Sequence, residues 1–198
     1  MKRFFRRHAT LWMLIGFCLL LGLFLSLRTG IFFTGRNLIN ILEANSFKLL
    51  LAIGMTFVIA SGGIDLSVGS ILSLSAIFTA LCMKQNIPVW LAILVGLLSG
   101  ILMGLINGAL IHFTGINAFI ITLGTSFLYR GLALIVTRGT PVSKLPAAYR
   151  AFGSGDIFQV ESGVYMALLV LLLSIPLLYK MRWGHYITTL GGNPVALR

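Results

Sequence analysis

The chain has 198 residues, 58% of them hydrophobic and 10% charged, with a mean hydropathy of +1.02 and a formal net charge of +11. A soluble domain could not hide that much apolar surface, so the composition places the chain across a membrane several times. The basic excess lies mostly at the edges of apolar runs, where anionic headgroups and the positive-inside bias act, and nucleic acid is not expected as a partner.

A basic head, Lys2, Arg3, Arg6, Arg7 and His8, precedes an apolar run at 11–27. The run exceeds a usual signal-peptide core and no A-x-A site follows, which predicts an uncleaved first span with a cytoplasmic N-terminus. Residues 28–46 mix Arg28, Arg36 and Glu43 with apolar residues and read as a loop or surface helix. The second span is expected at 47–60 and the third at 71–83, separated by Ser61-Gly62-Gly63-Ile64-Asp65-Leu66-Ser67-Val68-Gly69-Ser70. Three glycines, three serines and an aspartate make a poor helix interior, since each glycine costs about 1 kcal/mol there relative to alanine. Backbone that leaves the helix in lipid must be satisfied within the protein or in a watery cavity. An ionisable residue at such a break is a candidate functional residue. Asp65 and Ser67 are therefore read in two compatible ways, as caps for the following helix and as parts of a solute path.

A polar turn at 84–86 leads to Pro88, which opens a fourth span reaching about 113. That span carries Ala92, Gly96, Gly100, Gly104 and Gly108, four residues apart, a ridge that lets another helix approach closely. After a turn at 114–117, the fifth span is expected at 118–136. On it Thr122, Thr125, Ser126 and Tyr129 share one broad face, suited either to a hydroxyl-rich solute or to interhelical hydrogen bonds. Asn107 and Asn117 flank the turn and are expected to cap or to cross-link helices, the alternative being contact with the solute, for which Asn107 is the candidate. Arg130 is the one charge well inside an apolar run, and it either snorkels to headgroups or faces a polar cavity.

Residues 138–162 form the longest hydrophilic connection, and a sixth span at 164–179 contains Pro176 as an expected kink. The tail from Lys180 to Arg198 is basic, so six crossings return it to the cytoplasm and put 138–162 outside. There Arg138, Lys144 and Arg150 run against the charge bias. The expected fold is thus an all-α transmembrane bundle of about six spans in a single domain, 1–198. Cys18 and Cys82 lie in apolar runs and read as packing residues, and no His/Cys/Asp/Glu cluster has metal-ligand spacing. No phosphate-binding G-x-x-x-x-G-K-[ST] loop is present, so neither a cofactor nor catalysis is expected of the chain.

Several stretches resemble the permeases of bacterial ATP-driven (ABC) sugar importers of the ribose/xylose/arabinose type. They are residues 54–59 leading into 61–70, Asn107-Gly108, residues 119–125, Tyr129-Arg130-Gly131 and residues 186–194. The resemblance implies a membrane subunit that carries a monosaccharide across the inner membrane. It further implies a second permease copy, a separate cytoplasmic ATPase pair and a periplasmic sugar-binding protein. It places Gly191, Gly192, Asn193 and Pro194 at the entry to a helix that touches the ATPase, with the two glycines releasing the backbone and the helix starting at Pro194. Family members usually continue for several more spans, so the chain is expected to be the N-terminal portion of such a permease. The physics agrees, because a neutral sugar needs Ser, Thr, Asn and Tyr rather than charges along its path. An ion-coupled carrier or channel is the alternative, but it would want intramembrane acids, and only Asp65 qualifies.

Overall fold

The computed structural model describes residues 9–192, which form eight helices and one two-stranded hairpin. They divide into two compact units, 9–45 and 46–192. The first contains α1 (Ala9–Thr29) and the beginning of α2 (Gly35–Ala60). Gly22 of α1 is buried because the rings of Phe32 and Phe33 fold back onto it, and a Cβ there would lie 3.0 Å from Phe32. The turn ends where the Asn37 amide donates to the Phe32 carbonyl at 2.8 Å.

The second unit contains the remainder of α2, then α3 (Val68–Lys84), α4 (Val89–Thr114) and α5 (Ala118–Thr137). After these come α6 (Ala147–Ser154), the hairpin β1 (Asp156–Ile157) and β2 (Val160–Glu161), α7 (Ser162–Tyr179) and α8 (Arg182–Gly192). The core is built on α3, which packs on both α4 and α5. Its centre is Leu74, Met103, Tyr129 and Ala133, with Ile71, Ile77 and Phe78 closing around them. The turn between α4 and α5 follows from sequence. Gly115 takes the left-handed conformation (φ 66°) that ends α4, and the Asn117 side chain accepts from the Phe119 N–H at 2.9 Å to start α5.

Five helices, α1, α2, α4, α5 and α7, are long and apolar enough to cross a membrane. The sixth apolar helix, α3, has 17 residues. At 1.5 Å per residue it covers about 25 Å of a hydrocarbon core roughly 30 Å thick, leaving the non-helical break before it to cover the rest.

Two expectations are corrected. The segment at 28–46 is not separate from the second span: α2 runs unbroken from Gly35, because Arg36, Glu43 and Lys48 are compatible with a helix even where they interrupt an apolar run. The hydrophilic 138–162 connection holds α6 and the hairpin. The tail is helical through both Gly191 and Gly192, so the two glycines do not release the backbone. The helix expected from Pro194 lies outside the described residues, as do Asn193 and Pro194 themselves.

Candidate functional site: the break and its polar network

The break begins with a glycine-specific stop. Gly62 is left-handed (φ 81°), its N–H donates to the Ile59 carbonyl at 2.9 Å, and the Gly63 N–H donates to the Val58 carbonyl at 3.0 Å. This double bond closes the C-terminus of α2 and satisfies carbonyls that would otherwise be orphaned in lipid. From Ile64 onward the side chains alternate: Ile64 and Leu66 are exposed, Asp65 is half-buried and Ser67 is buried.

The Asp65 carboxylate bends back along its own chain. Its Oδ1 accepts from the Ser67 N–H at 2.7 Å and from the Ser67 hydroxyl at 2.6 Å, a turn that delivers Ser67 to the N-cap position of α3. Ser67 makes no side-chain cap bond itself. Its hydroxyl instead accepts from the Asn107 amide of α4 at 2.7 Å. Asn107 Oδ1 in turn accepts from the Tyr129 hydroxyl of α5 at 3.2 Å, and that hydroxyl also lies 3.1 Å from the Met103 carbonyl. The donors thus run in one direction, Tyr129 to Asn107 to Ser67 to Asp65, ending on the carboxylate. Hydrogen bonds aligned in this way polarise one another, and those reaching a carboxylate are the stronger kind.

Thr122 satisfies the other side of the break. Its hydroxyl, almost fully buried, accepts from the Leu66 N–H at 3.2 Å and lies 3.2 Å from the Ile64 carbonyl, while bonding its own helix at Ala118 (2.8 Å). Three helices, α3, α4 and α5, are therefore tied to one irregular segment by neutral side chains and a single charge.

The structure brings Asp65, Ser67, Asn107, Thr122 and Tyr129 together. Thr125 and Ser126 are half-buried beside them, with the Thr125 hydroxyl donating to the Thr122 carbonyl at 3.3 Å, and Arg130 is exposed. Of the α4 glycines, Gly96 is buried against α3, where a Cβ would collide with the Thr79 hydroxyl and come within 3.2 Å of the Ser75 carbonyl. Gly100 has only contacts at 3.9 Å, and Gly104 and Gly108 have open space.

Two features were missed by sequence reasoning. Gly191 of α8 seats directly on the break: a Cβ there would collide with the Ala60 carbonyl and lie 2.8 Å from the Gly62 nitrogen. Its only sequence signal was a pair of adjacent glycines. The second is a cavity of about 1080 Å³ beside the middle of α3, between Ser75, Thr79 and Gly96 on one wall and Lys144, Tyr149 and Arg150 on the other. Nothing local in the sequence pairs residues so far apart in the chain.

A family model described as the permease component of branched-chain amino acid transport systems matches residues 37–198. The D-allose transport system permease AlsC of Escherichia coli K12 is 35% identical over 191 residues, which are 96% of this chain and 58% of that protein. The ribose import permease RbsC of Bacillus subtilis is 37% identical over 183 residues, 89% of this chain and 57% of that protein. The autoinducer 2 import permease LsrD of Klebsiella pneumoniae is 37% identical over 155 residues, 75% of this chain and 47% of that protein. The chain therefore spans about half the length of the curated relatives it matches. No solved structure matches it.

Proposed function

We propose, for a chain that belongs to the family of permease components of branched-chain amino acid transport systems, that it serves as a membrane subunit of an ATP-driven importer whose cargo is a monosaccharide or a similarly neutral polyhydroxyl solute. The observation that carries the reading is that the similar permeases are named for D-allose, ribose and autoinducer 2 import. The chemistry of the site supports it. The polar groups at depth are Ser, Thr, Asn and Tyr, and the one acid, Asp65, already receives two hydrogen bonds from Ser67. A carrier that coordinates an ion would need free anionic ligands there.

In this reading the face of α5 with Thr125 and Ser126 lines the path. Asp65, Ser67, Asn107, Thr122 and Tyr129 hold the three helices that shape it, and Arg130 sits at its margin. The cavity beside Lys144 and Arg150 is the outward mouth, with the N-terminus in the cytoplasm of a bacterial cell and the inner membrane as the site. A separate ATPase pair docks near Gly191, Gly192, Asn193 and Pro194. A second permease copy and a periplasmic sugar-binding protein complete the assembly, with Gly96 serving the packing of α4 on α3.

The test is uptake of labelled D-allose and ribose by cells carrying the protein, with and without an importer ATPase. Uptake that requires the ATPase and survives a protonophore is expected. Uptake that needs no ATPase and collapses with the proton gradient would overturn the reading.

A further inference from the structure

We propose that α8 is an interfacial helix whose Trp183–Tyr186–Leu190 face enters the headgroup–acyl boundary of an anionic lipid surface, holding Gly191 against the break. At 3.6 residues per turn, successive residues rotate by about 100° around the axis, which sorts α8 into three sectors. Gly184, Ile187 and Gly191 fall within about 60° of one another and form the inner sector. Gly184 is buried so tightly that a Cβ would collide with the Leu178 carbonyl at the end of α7, Ile187 is half-buried, and Gly191 meets Ala60 and Gly62. Trp183, Tyr186 and Leu190 share a second sector of similar width, and they are 71%, 56% and 48% exposed. Arg182 and His185 occupy the third sector, exposed and polar.

Position decides what covers the aromatic sector. Only Lys180 and Met181 separate α8 from Tyr179, the last residue of the spanning helix α7, and the Gly184 contact binds the start of α8 to that helix end. The helix therefore lies where a span leaves the bilayer. With 11 residues it is too short to cross it. Trp and Tyr favour this depth, because each ring has an apolar body and a polar edge. Lys180 and Arg182 beside them complement anionic headgroups. A helix with its glycines on the bundle, its aromatics in the acyl boundary and its charges in water leaves no sector in the wrong solvent. The assignment holds whatever solute the permease carries.

The test uses the full chain with Trp12→Phe and Trp90→Phe, so that Trp183 is the sole emitter, in phosphatidylcholine vesicles with and without phosphatidylglycerol. The expected result is strong quenching by lipids brominated near the headgroup end of the acyl chain, weaker quenching by bromine at the chain end, and little quenching by aqueous iodide. Phosphatidylglycerol should deepen the bromine quenching, and K180Q with R182Q should remove that gain. Trp183 open to iodide and untouched by bromine would overturn the proposal, as would Trp183 shielded from both, which would mean that a protein partner covers it. A gain from phosphatidylglycerol that persists in K180Q/R182Q would overturn the headgroup contact. If the tryptophan variants do not accumulate, a spin label at Y186C in a C18A/C82A background reads depth from its relative accessibility to oxygen and to a water-soluble nickel complex. Oxygen-favoured relaxation is the expected outcome, and nickel-favoured relaxation the contrary one.

Discussion

Gly191 rests on the backbone of Gly62, its Cα 3.2 Å from the point where a Cβ on Gly62 would stand. The end of a surface helix and the stop signal of a spanning helix are thus in direct backbone contact, with no side chain between them. Any movement of α8 is felt first at the irregular segment that ties α3, α4 and α5 together.

Gly191→Ala should therefore destabilise the protein. The added methyl meets the Ala60 carbonyl and the Gly62 nitrogen, which are backbone atoms that cannot swing aside. Overpacking of this kind costs on the order of 1–3 kcal/mol. Gly192→Ala is the control, since a Cβ at Gly192 has nothing within 4 Å. Thermal melting in detergent measures both, and equal melting temperatures for the two variants would contradict the contact.

Asp65→Asn should fold nearly as well as the parent, because the amide oxygen can still accept from the Ser67 N–H and hydroxyl. Asp65→Leu leaves both donors without an acceptor, at about 1–3 kcal/mol for each group left unsatisfied. Expression and melting of the two variants check this. A leucine variant as stable as the parent would mean that the turn at Asp65 carries no stability.

Asn107 and Tyr129 should be energetically coupled. In a double-mutant cycle of Asn107→Ala and Tyr129→Phe, the coupling is expected at about 0.5–1.5 kcal/mol, the range of buried polar pairs in membrane bundles. Strict additivity would show that the 3.2 Å bond contributes nothing.

Along α4 the cost of a new side chain should fall with position. A Cβ at Gly96 collides with Thr79, one at Gly100 stands 3.9 Å from Ile71 and Ser75, and one at Gly104 has nothing within 4 Å among the described residues, so a leucine is most crowded at Gly96 and least at Gly104. Melting temperatures should rise in that order, with Gly96→Leu lower than the parent by the equivalent of on the order of 1–3 kcal/mol. A Gly104→Leu variant that is the least stable of the three would place a further partner on that part of the helix.

Ser154, exposed at the end of α6, should lie outside the cell. In a C18A/C82A background, S154C should react with an impermeant thiol reagent applied to intact cells. Reaction only after the cytoplasm is opened would invert the topology.

The spans were legible because each is a run of apolar residues bounded by polar turns or charges in a chain too hydrophobic to be soluble, and the break was legible because Gly62, Gly63, Asp65 and Ser67 are local signals. Asn107 and Tyr129 stood out as polar residues in apolar runs, but that they bond one another depends on how α4 crosses α5, which no local pattern encodes. The start of α2 was missed because charges at Arg36 and Glu43 were read as the end of a helix when they mark only the end of its apolar part. Gly191 was missed for a related reason. Adjacent glycines advertise a free backbone, whereas here Gly191 is needed for the side chain it lacks, a property visible only from the partner surface.

The alternation at Ile64, Asp65, Leu66 and Ser67 has a consequence for length as well as for chemistry. The segment behaves like a short strand, with odd positions turned toward the protein and even ones away from it. A single inserted or deleted residue would exchange the two sides, as a slip of register does in a sheet. It would swing the carboxylate toward hydrocarbon and leave an isoleucine or leucine facing Asn107. A substitution inside the break changes one contact, whereas a change in its residue count turns every side chain after it to the other side, so its spacing is specified as tightly as its composition.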